Sequence, residues 1–205
     1  MIIVIIKMIV IFVIAYLLGS IPTGYLIVKA KKGIDIRKTG SGSTGATNVK
    51  RILGTKWFFT VMLLDALKGA IAVIIAIKWF NLFEYSLRGL APVLAALGAI
   101  IGHSKSVFLG FTGGKSVATG VGTILALCWP VGLITAAIWG VITYTSKFVS
   151  LGSVIAITLA PILMRMFNQN EYYICFTALC AAYVVIMHKD NIKRLCAGKE
   201  NKVRK

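Results

Sequence analysis

Seven apolar runs recur along this 205-residue chain, and they restrict its fold more than any other feature. Only 14% of its residues are charged, whereas soluble domains carry about 25%. A helix needs roughly 20 apolar residues to cross a bilayer, so these runs indicate membrane spans. We therefore predict an all-α fold: a polytopic membrane helix bundle of about seven transmembrane helices, forming one integral-membrane domain over residues 1–205.

Several of these runs are shorter than about 20 residues, so some spans must be tilted or broken. The first run contains Lys7 and is followed by no small-residue cleavage site, which favours a span over a signal peptide. Residues 116–144 could form one long helix, but Trp129 and Pro130 favour a turn, because proline disfavours helix in the residue before it. The predicted spans are Ile2–Leu18 or its extension to Val28, Trp57–Ile77, Leu87–Ile101, Val117–Trp129, Val131–Thr145, Leu151–Met166 and Tyr172–Met187.

The basic residues provide an independent check on this count. The chain has 23 Lys and Arg against 6 Asp and Glu, a net charge of +17. With the N-terminus outside, most of the positive charge falls on the inner connections, residues 29–56, 102–116 and 146–150, and on the tail after residue 187. The positive-inside rule therefore favours seven spans with the N-terminus out and the C-terminus cytoplasmic. Cationic loops beside spans also explain the charge without a nucleic-acid partner.

The first inner connection carries a cluster of residues that suits a phosphate group. Three glycines, Gly40, Gly42 and Gly45, would let backbone N–H groups turn inward around an anion. Arg51 adds a guanidinium that can hold phosphate through two hydrogen bonds. A flexible polar linker is the alternative for a segment of this composition. The candidate hydroxyl donors are Ser41, Ser43, Thr44 and Thr47.

The second inner connection ends in Gly113, Gly114 and Lys115, directly before a predicted span that begins at Val117. A glycine turn at a helix N-terminus presents N–H groups and the positive end of the helix dipole to an anion, and the lysine adds a full charge. Phosphate or carboxylate is the expected ligand; a tight re-entrant turn with an interfacial lysine is the alternative. His103 is a candidate general base, a donor to a transition-state oxygen, or an interfacial histidine.

Polar residues also follow the last span and interrupt the second one. His188 and Asn191 share a face if the last helix continues, and Arg194 would complete a polar stripe; a solvated basic helix end is the alternative. Asp65 and Lys68 form an intramembrane pair that should face the bundle interior, and we interpret it first as structural. Because the predicted topology places the polar loops on one side, they can converge on a single cytoplasmic-face site.

Four separated groups of residues carry a specific pattern: Gly19, Ser20, Ile21 and Pro22; Ser41, Gly42, Gly45, Ala46, Thr47, Asn48 and Arg51; Gly102, His103, Gly113, Gly114, Lys115, Val117, Ala118 and Thr119; and His188, Asn191, Ile192, Arg194, Gly198 and Glu200. In this order they resemble the bacterial integral-membrane glycerol-3-phosphate acyltransferases that use acyl-phosphate, the PlsY family. The resemblance runs from the first span to the tail. Asp65 with Lys68 and Gly69 also fits the family's second span.

The resemblance implies transfer of a fatty acyl group from acyl-phosphate to the 1-hydroxyl of sn-glycerol 3-phosphate, which gives lysophosphatidate and inorganic phosphate early in phospholipid biosynthesis. The implied partners are glycerol 3-phosphate, acyl-phosphate and membrane lipid. The implied location is the bacterial inner (cytoplasmic) membrane, with the active site facing the cytoplasm. No His is followed five residues later by Asp, the motif of acyltransferases that use acyl-CoA or acyl-carrier protein, and this favours the acyl-phosphate donor.

Residue roles follow from the same resemblance. Lys115 and Arg51 would hold phosphate, Ser41 would orient the substrates with the loop amides, and His188 with Asn191 would position the attacking hydroxyl. An acyl-phosphate already carries a good leaving group, so no covalent serine intermediate is required. The residues predicted to be catalytic are Ser41, Lys115, His188 and Asn191. The predicted substrate-binding residues are Gly42, Thr47, Asn48, Arg51, His103, Gly113, Gly114, Ser150 and Ser153.

The middle motif departs from the family pattern at four positions. Lys105 and Ser106 stand where the family has Phe and Pro. Thr112 replaces a basic residue, and Ser116 replaces a glycine. These changes alter the backbone freedom of the loop and its attraction for phosphate. They predict either an altered substrate choice or a catalytically weakened paralogue.

A transporter or channel for an anionic phosphate-bearing compound is the main alternative. It would use the same cationic loops and the Asp65–Lys68 pair, but no inverted repeat is visible in the sequence. A purely structural membrane protein gives no reason for several phosphate-suited loops on one face. The four cysteines have no metal-ligand spacing, so we predict no metal site and no cofactor.

Overall fold

The computed structural model describes residues 2–81 and 89–203. Within these ranges the chain is helical, with two short 3₁₀ turns, Ile36–Lys38 and Val107–Leu109, and one isolated bridge between Ser106 and Thr112. The predicted all-α class is confirmed. The α-helices of the described residues are α1 (Ile2–Ser20), α2 (Thr23–Lys32), α3 (Ala46–Leu53), α4 (Thr55–Asn81), α5 (Leu90–Ser104), α6 (Val117–Leu127), α7 (Trp129–Ser146), α8 (Val149–Met166), α9 (Glu171–Met187) and α10 (Lys189–Cys196).

Each of the seven predicted spans coincides with a helix, namely α1 and α4 to α9, with ends that differ by a few residues. Leu87, where the third span was predicted to begin, lies outside the described residues. The predicted turn near Trp129 is present, but the break lies at Cys128, whose backbone is extended. Pro130 instead sits in the first turn of α7, where its missing N–H leaves no helical hydrogen bond unmade.

Three helical stretches in the described part of the chain are long and apolar enough to cross a membrane alone: Ile2–Lys32, Thr55–Trp79 and Val149–Met166. A fourth is added if α9 and α10 are counted as one bent span. Helices α5 and α6 are apolar but shorter. The predicted count of seven spans and the direction of the termini therefore stay predictions.

The last apolar helix does not continue straight into the tail. The polar stripe of His188, Asn191 and Arg194 was predicted on the condition that it would. The helix ends at Met187, and α10 leaves at an angle of 62°. The N–H of His188, at the bend, donates to the carbonyls of Val184 and Val185, both at 3.0 Å. His188 therefore caps α9, while Asn191 belongs to α10.

The chain divides into two compact units, Met1–Thr123 and Ile124–Lys205. In the first unit α1 and α5 approach so closely that a methyl group on Gly19, Gly98 or Gly102 would overlap backbone atoms of the other helix. Small residues allow such contacts between membrane helices, because lipid tails are as apolar as the side chains and close packing supplies the attraction.

Close packing at glycine residues also joins α4 to α6 in the first unit. Gly69 lies against the carbonyl of Thr119, and Gly122 lies against the carbonyl of Ala66. Asp65 and Lys68 therefore sit on a helix that α6 approaches at short range. In the second unit α7 packs on α8 and α8 packs on α9.

Candidate active site

The first polar loop, which precedes α3, is folded around the side chain of Asn48. Its Nδ2 donates to the carbonyls of Thr39 and Ser43, both at 2.9 Å, and to Ile36 at 3.3 Å. Its Oδ1 accepts from the N–H of Ser41 at 3.1 Å. The residue is only 1% exposed. Asn48 was predicted to bind substrate, but its amide is committed to holding the loop.

Several of the backbone N–H groups that were predicted to surround an anion in this loop instead donate hydrogen bonds within the loop. The N–H of Gly42 donates to the carbonyl of Thr39 at 3.2 Å, and that of Gly45 donates to Oγ of Ser43 at 3.3 Å. Gly42 adopts a φ of 70°, which only glycine tolerates easily. Gly42 therefore serves the turn, and the loop is an ordered turn rather than a flexible linker.

Three of the predicted residues remain at or near the outside of this loop. Ser41 and Arg51 are exposed, and Thr47 is half-buried in the first turn of α3. The loop therefore presents two hydroxyls and a guanidinium on an internally bonded backbone. These are the groups that a phosphate would meet.

A buried ionic cluster links α2, α4 and α5. Oδ1 of Asp65 accepts from Oγ1 of Thr23 at 2.5 Å and from Nζ of Lys68 at 2.8 Å. Nδ1 of His103 lies 3.4 Å from the same oxygen. Nζ of Lys68 also donates to the carbonyl of Ile21 at 2.7 Å. The prediction that the Asp65–Lys68 pair faces the interior is confirmed.

The contact of His103 with this cluster was not predicted from the sequence. One signal was available: a carboxylate inside an apolar helix needs partners, and His103 ends the neighbouring apolar helix in the chain. His103 is 8% exposed, so it lies inside the first unit rather than at an open interface.

Gly113 and Gly114 pack directly on His103. The N–H of Gly114 donates to the carbonyl of His103 at 3.1 Å. A methyl group on Gly114 would overlap Nε2 of His103, and one on Gly113 would overlap its backbone carbonyl. Both glycines are therefore required for close approach. Lys115 follows them directly, half-buried and two residues before α6.

The hydroxyls that replace family residues in the middle motif all donate to backbone carbonyls: Ser106 to Ser20 at 2.6 Å, Thr112 to Leu109 at 2.8 Å and Ser116 to Ile100 at 2.8 Å. Lys105 is exposed, and its carbonyl accepts from the hydroxyl of Tyr16 at 2.8 Å. The departures from the family pattern are thus supported by bonds of their own within the first unit.

Replacing Ser116 tests this compensation. Its φ of 59° is strained for any residue with a Cβ. In Ser116→Ala the strain stays and the bond to Ile100 is lost, so we expect a loss of about 1 kcal/mol in the free energy of unfolding. In Ser116→Gly relief of strain offsets the lost bond, and the change should stay below about 0.5 kcal/mol. Unfolding in detergent distinguishes the two; an alanine variant as stable as the glycine variant contradicts the explanation.

In the second unit Glu200 joins the tail to α8 and α10. Its Oε1 accepts from Oγ of Ser150 at 2.9 Å and from Nδ2 of Asn191 at 2.6 Å, and its Oε2 accepts from Nε of Arg194 at 2.7 Å. Burial raises the pKa of Glu200, but these three hydrogen bonds and the charge of Arg194 outweigh it and hold the pKa below its ordinary value. The side chain is 5% exposed. Glu200 belongs to the family pattern described above, but no role was predicted for it from the sequence.

The predicted polar stripe is present only in part. Asn191 and Arg194 share a face of α10, through Glu200. His188 is 4% exposed, and its Nδ1 lies 2.8 Å from the carbonyl of Val184. Of the two predicted serines, Ser150 belongs to the Glu200 cluster.

The second of these serines points elsewhere. Ser153 is 2% exposed, and its hydroxyl donates to the carbonyl of Val149 within α8 at 2.8 Å. The hydroxyl is therefore turned into its own helix, as serines in apolar helices commonly are. Among residues 2–81 and 89–203 no three His, Cys, Asp or Glu side chains gather as a metal site would require.

Apolar helices with cationic and hydroxyl-bearing loops define a helical membrane protein suited to phosphate-bearing ligands. The chain belongs to the glycerol-3-phosphate acyltransferase family, whose model matches residues 9–198. A glycerol-3-phosphate acyltransferase of Trichormus variabilis is 48% identical over 204 residues, covering 93% of this chain and 89% of the relative. One from a Nostoc species is 47% identical over 204 residues, with the same coverage of both chains.

Solved structures agree with this assignment. A crystal structure of PlsY (YgiH), described as an integral membrane glycerol 3-phosphate acyltransferase in its glycerol 3-phosphate form, matches with a TM-score of 0.88 at 35% identity, covering 97% of this chain and 96% of that one. Its lysophosphatidic acid form matches with a TM-score of 0.86, again at 35% identity and with the same coverage. The apolar helices and these structures together make the chain a multi-pass membrane protein. Its relatives and these structures make it an acyltransferase.

Proposed function

We propose that this chain transfers a fatty acyl group from acyl-phosphate to the 1-hydroxyl of sn-glycerol 3-phosphate, giving lysophosphatidate and inorganic phosphate in phospholipid synthesis. The observation that carries the proposal is the match to two PlsY structures over nearly the whole chain, described as glycerol 3-phosphate and lysophosphatidic acid forms. These two compounds are the acceptor and the product of the proposed reaction.

The reaction needs orientation and charge stabilisation more than a nucleophilic side chain. The hydroxyl oxygen of the acceptor bonds to the acyl carbon, the bond from that carbon to the phosphate oxygen breaks, and phosphate leaves with the electron pair. The leaving phosphate can take the hydroxyl proton, so the atoms and charges balance without an acyl-enzyme. Cationic groups aimed at the phosphates then lower the barrier by binding the charge that develops.

In the first unit we assign phosphate binding to Lys115 and Arg51, and substrate orientation to Ser41 and Thr47. The ordered backbone of the first loop supports this assignment because it fixes the two hydroxyls relative to α3. Asn48 acts behind them, as the residue that shapes the loop.

In the second unit we assign a role at the acceptor hydroxyl to His188 and Asn191. Because a carbonyl oxygen only accepts hydrogen bonds, Nδ1 of His188 carries the proton in its contact with Val184. In the neutral ring Nε2 is then the acceptor nitrogen, which can accept a hydrogen bond from the O–H of a hydroxyl group. Asn191 is oriented by Glu200.

We further propose seven spans, α1 and α4 to α9, with the N-terminus outside and the tail in the cytoplasm of a bacterial cell. The distribution of Lys and Arg supports this orientation. It would place the polar loops and the active site at the cytoplasmic face of the inner membrane. The family model extends from residue 9 to residue 198, across both units, which favours one catalytic domain.

The test supplies the purified protein in detergent with glycerol 3-phosphate and either palmitoyl-phosphate or palmitoyl-CoA, and measures phosphate release and lysophosphatidate formation. We expect turnover with palmitoyl-phosphate only. Lys115→Ala should lower the turnover rate by about 100-fold or more, because the positive charge proposed to bind a substrate phosphate is lost. Lys105→Ala is the matched control: it removes a lysine from the same loop and should stay close to wild type.

Two outcomes would contradict the proposal. Turnover with palmitoyl-CoA alone would assign a different donor. Absence of turnover with either donor, from protein shown to be folded, would favour the transporter or a weakened paralogue. Flux of glycerol 3-phosphate into liposomes containing the protein would then separate these two.

A further inference from the structure

The buried ionic cluster and the glycine turn before Lys115 meet at one side chain, that of His103. On one side of the ring Nδ1 lies 3.4 Å from Oδ1 of Asp65. On the other side the Nε2 end lies against Gly114, so closely that a single methyl group there would overlap it. The ring therefore fills the space between a carboxylate on α4 and the backbone of the turn.

The turn is also tied to His103 through the backbone. The N–H of Gly114 donates to the carbonyl of His103 at 3.1 Å. Between them, Ser106 and Thr112 pair as an isolated bridge that closes the loop on itself. The glycines before Lys115 are thus held by His103, while Ser116, directly after it, is held by the carbonyl of Ile100. A shift of His103 would move Gly114 and the turn that leads to Lys115.

Asp65 is itself held firmly. Thr23 and Lys68 both hydrogen-bond its Oδ1, and Lys68 is fixed in turn by the carbonyl of Ile21. The side chains of Asp65 and Lys68 are 2% and 7% exposed. Moving a buried charge away from its partners costs several kcal/mol, so the carboxylate is a rigid point from which the ring of His103 can be oriented.

We propose that Asp65 and His103 are positioning residues that brace Gly114 and thereby fix Lys115 where it binds a substrate phosphate. This inference rests on the phosphate role of Lys115 in the proposed function. It replaces the earlier prediction that His103 contacts the substrate, because both ends of its ring face protein groups. In this role neither residue has to contact the reacting atoms.

A double-variant cycle tests the brace. His103→Ala removes it, and Gly114→Ala places a methyl group where Nε2 lies. The φ of Gly114 is not in the left-handed region, so alanine is tolerated by the backbone. Each single change should raise the KM for a phosphate-bearing substrate by about tenfold, because the turn is displaced. In the double variant the methyl group has room, so most of the loss should be recovered.

The matched control combines His103→Ala with Thr112→Ala. Thr112 lies in the same loop, is exposed, and bonds to Leu109 rather than to His103. Its effect should add to that of His103→Ala without recovery. Thr23→Val, which removes one hydrogen bond from Asp65 and changes no group of the turn, should raise the same KM by about threefold. A merely structural role of Thr23 would lower the amount of folded protein and leave KM unchanged.

Two measurements identify the bound phosphate and separate this inference from the proposed function. KM is determined for glycerol 3-phosphate at saturating palmitoyl-phosphate and the reverse, and the one that rises marks the group near Lys115. Calorimetric titration with glycerol 3-phosphate and with inorganic phosphate gives Kd without turnover. If wild type binds phosphate but transfers no acyl group, the proposed function fails, while recovery of Kd in the double variant still supports the brace. Strictly additive effects, or unchanged KM and Kd in both single variants, overturn it.

Discussion

Replacing Asn48 by alanine is expected to lower the free energy of unfolding by about 3 kcal/mol and to remove most of the activity. The change deletes the donor that serves the carbonyls of Thr39, Ser43 and Ile36, and the acceptor that serves the N–H of Ser41. Four backbone groups then lose a buried partner at once. Because Ser41 is held by the same loop, the groups that we propose orient the substrate should lose their positions together with the fold.

Asn48→Asp distinguishes the effect of the side chain's shape from the effect of its hydrogen bonds. Aspartate has the same size, but its carboxylate has no N–H for the three carbonyls and would repel their oxygens. We expect it to be at least as damaging as alanine. Thr47→Ala, one residue earlier and half-buried, is the control and should change stability by less than about 1 kcal/mol. Unfolding in detergent and turnover with palmitoyl-phosphate measure the two effects, and an aspartate variant with wild-type stability would refute this account of the loop.

Replacing Glu200 by glutamine should cost about 3 kcal/mol of stability in the second unit. Glutamine keeps the size, but its NH₂ group cannot accept a hydrogen bond, and the charge that pairs with Arg194 disappears. The amide of Asn191, which we propose acts at the acceptor hydroxyl, then loses its orientation, so kcat should fall as well. Glu171→Gln is the matched control: Glu171 pairs with Arg165, but both side chains are more than 70% exposed, and such pairs contribute less than about 1 kcal/mol.

The pH dependence gives an independent measure of the same carboxylate. The pKa of Glu200 is below 4.5 in the folded protein. Its contribution to stability is therefore fully present above the ordinary value of 4.5 and is lost as the pH falls through the lower folded value. The difference in Tm between wild type and Glu200→Gln should be constant near neutral pH and should narrow below the ordinary value. A difference that stays constant through the acid range would contradict the stated role of the carboxylate.

The helices were predictable because apolar runs of membrane length have few alternatives to helix. The same argument could not place the break at Cys128 or the bend at His188. Both depend on backbone groups that find partners locally, as the N–H of His188 does with Val184 and Val185. Apolar composition indicates that a segment is buried or faces lipid, but not where a helix ends within it.

The sequence indicated a set of candidate site residues, which stays a prediction, but few of the contacts that these residues make. The glycine and hydroxyl pattern identified the first loop, but whether an N–H faces a ligand or a neighbouring carbonyl depends on the conformation of the turn, and Asn48 decides it here. The Asp65–Lys68 pair was expected to face inward, whereas its link to His103 depends on how α4 and α5 pack. Glu200 could have been identified as a candidate from the composition, because the chain has only 6 acidic residues to pair with 23 basic ones.

The attachment of the tail through Glu200 determines when, during synthesis of the chain, the polar cluster of the second unit can form. Glu200 lies 50 residues after Ser150 and 9 after Asn191, and it holds both. A further bond joins the N–H of Val203 to the carbonyl of Lys147. Chains emerge from the ribosome N-terminal end first, so α8, α9 and α10 are all synthesised before the carboxylate that connects them. The polar cluster of the second unit can therefore form only after all the helices that it joins have been synthesised.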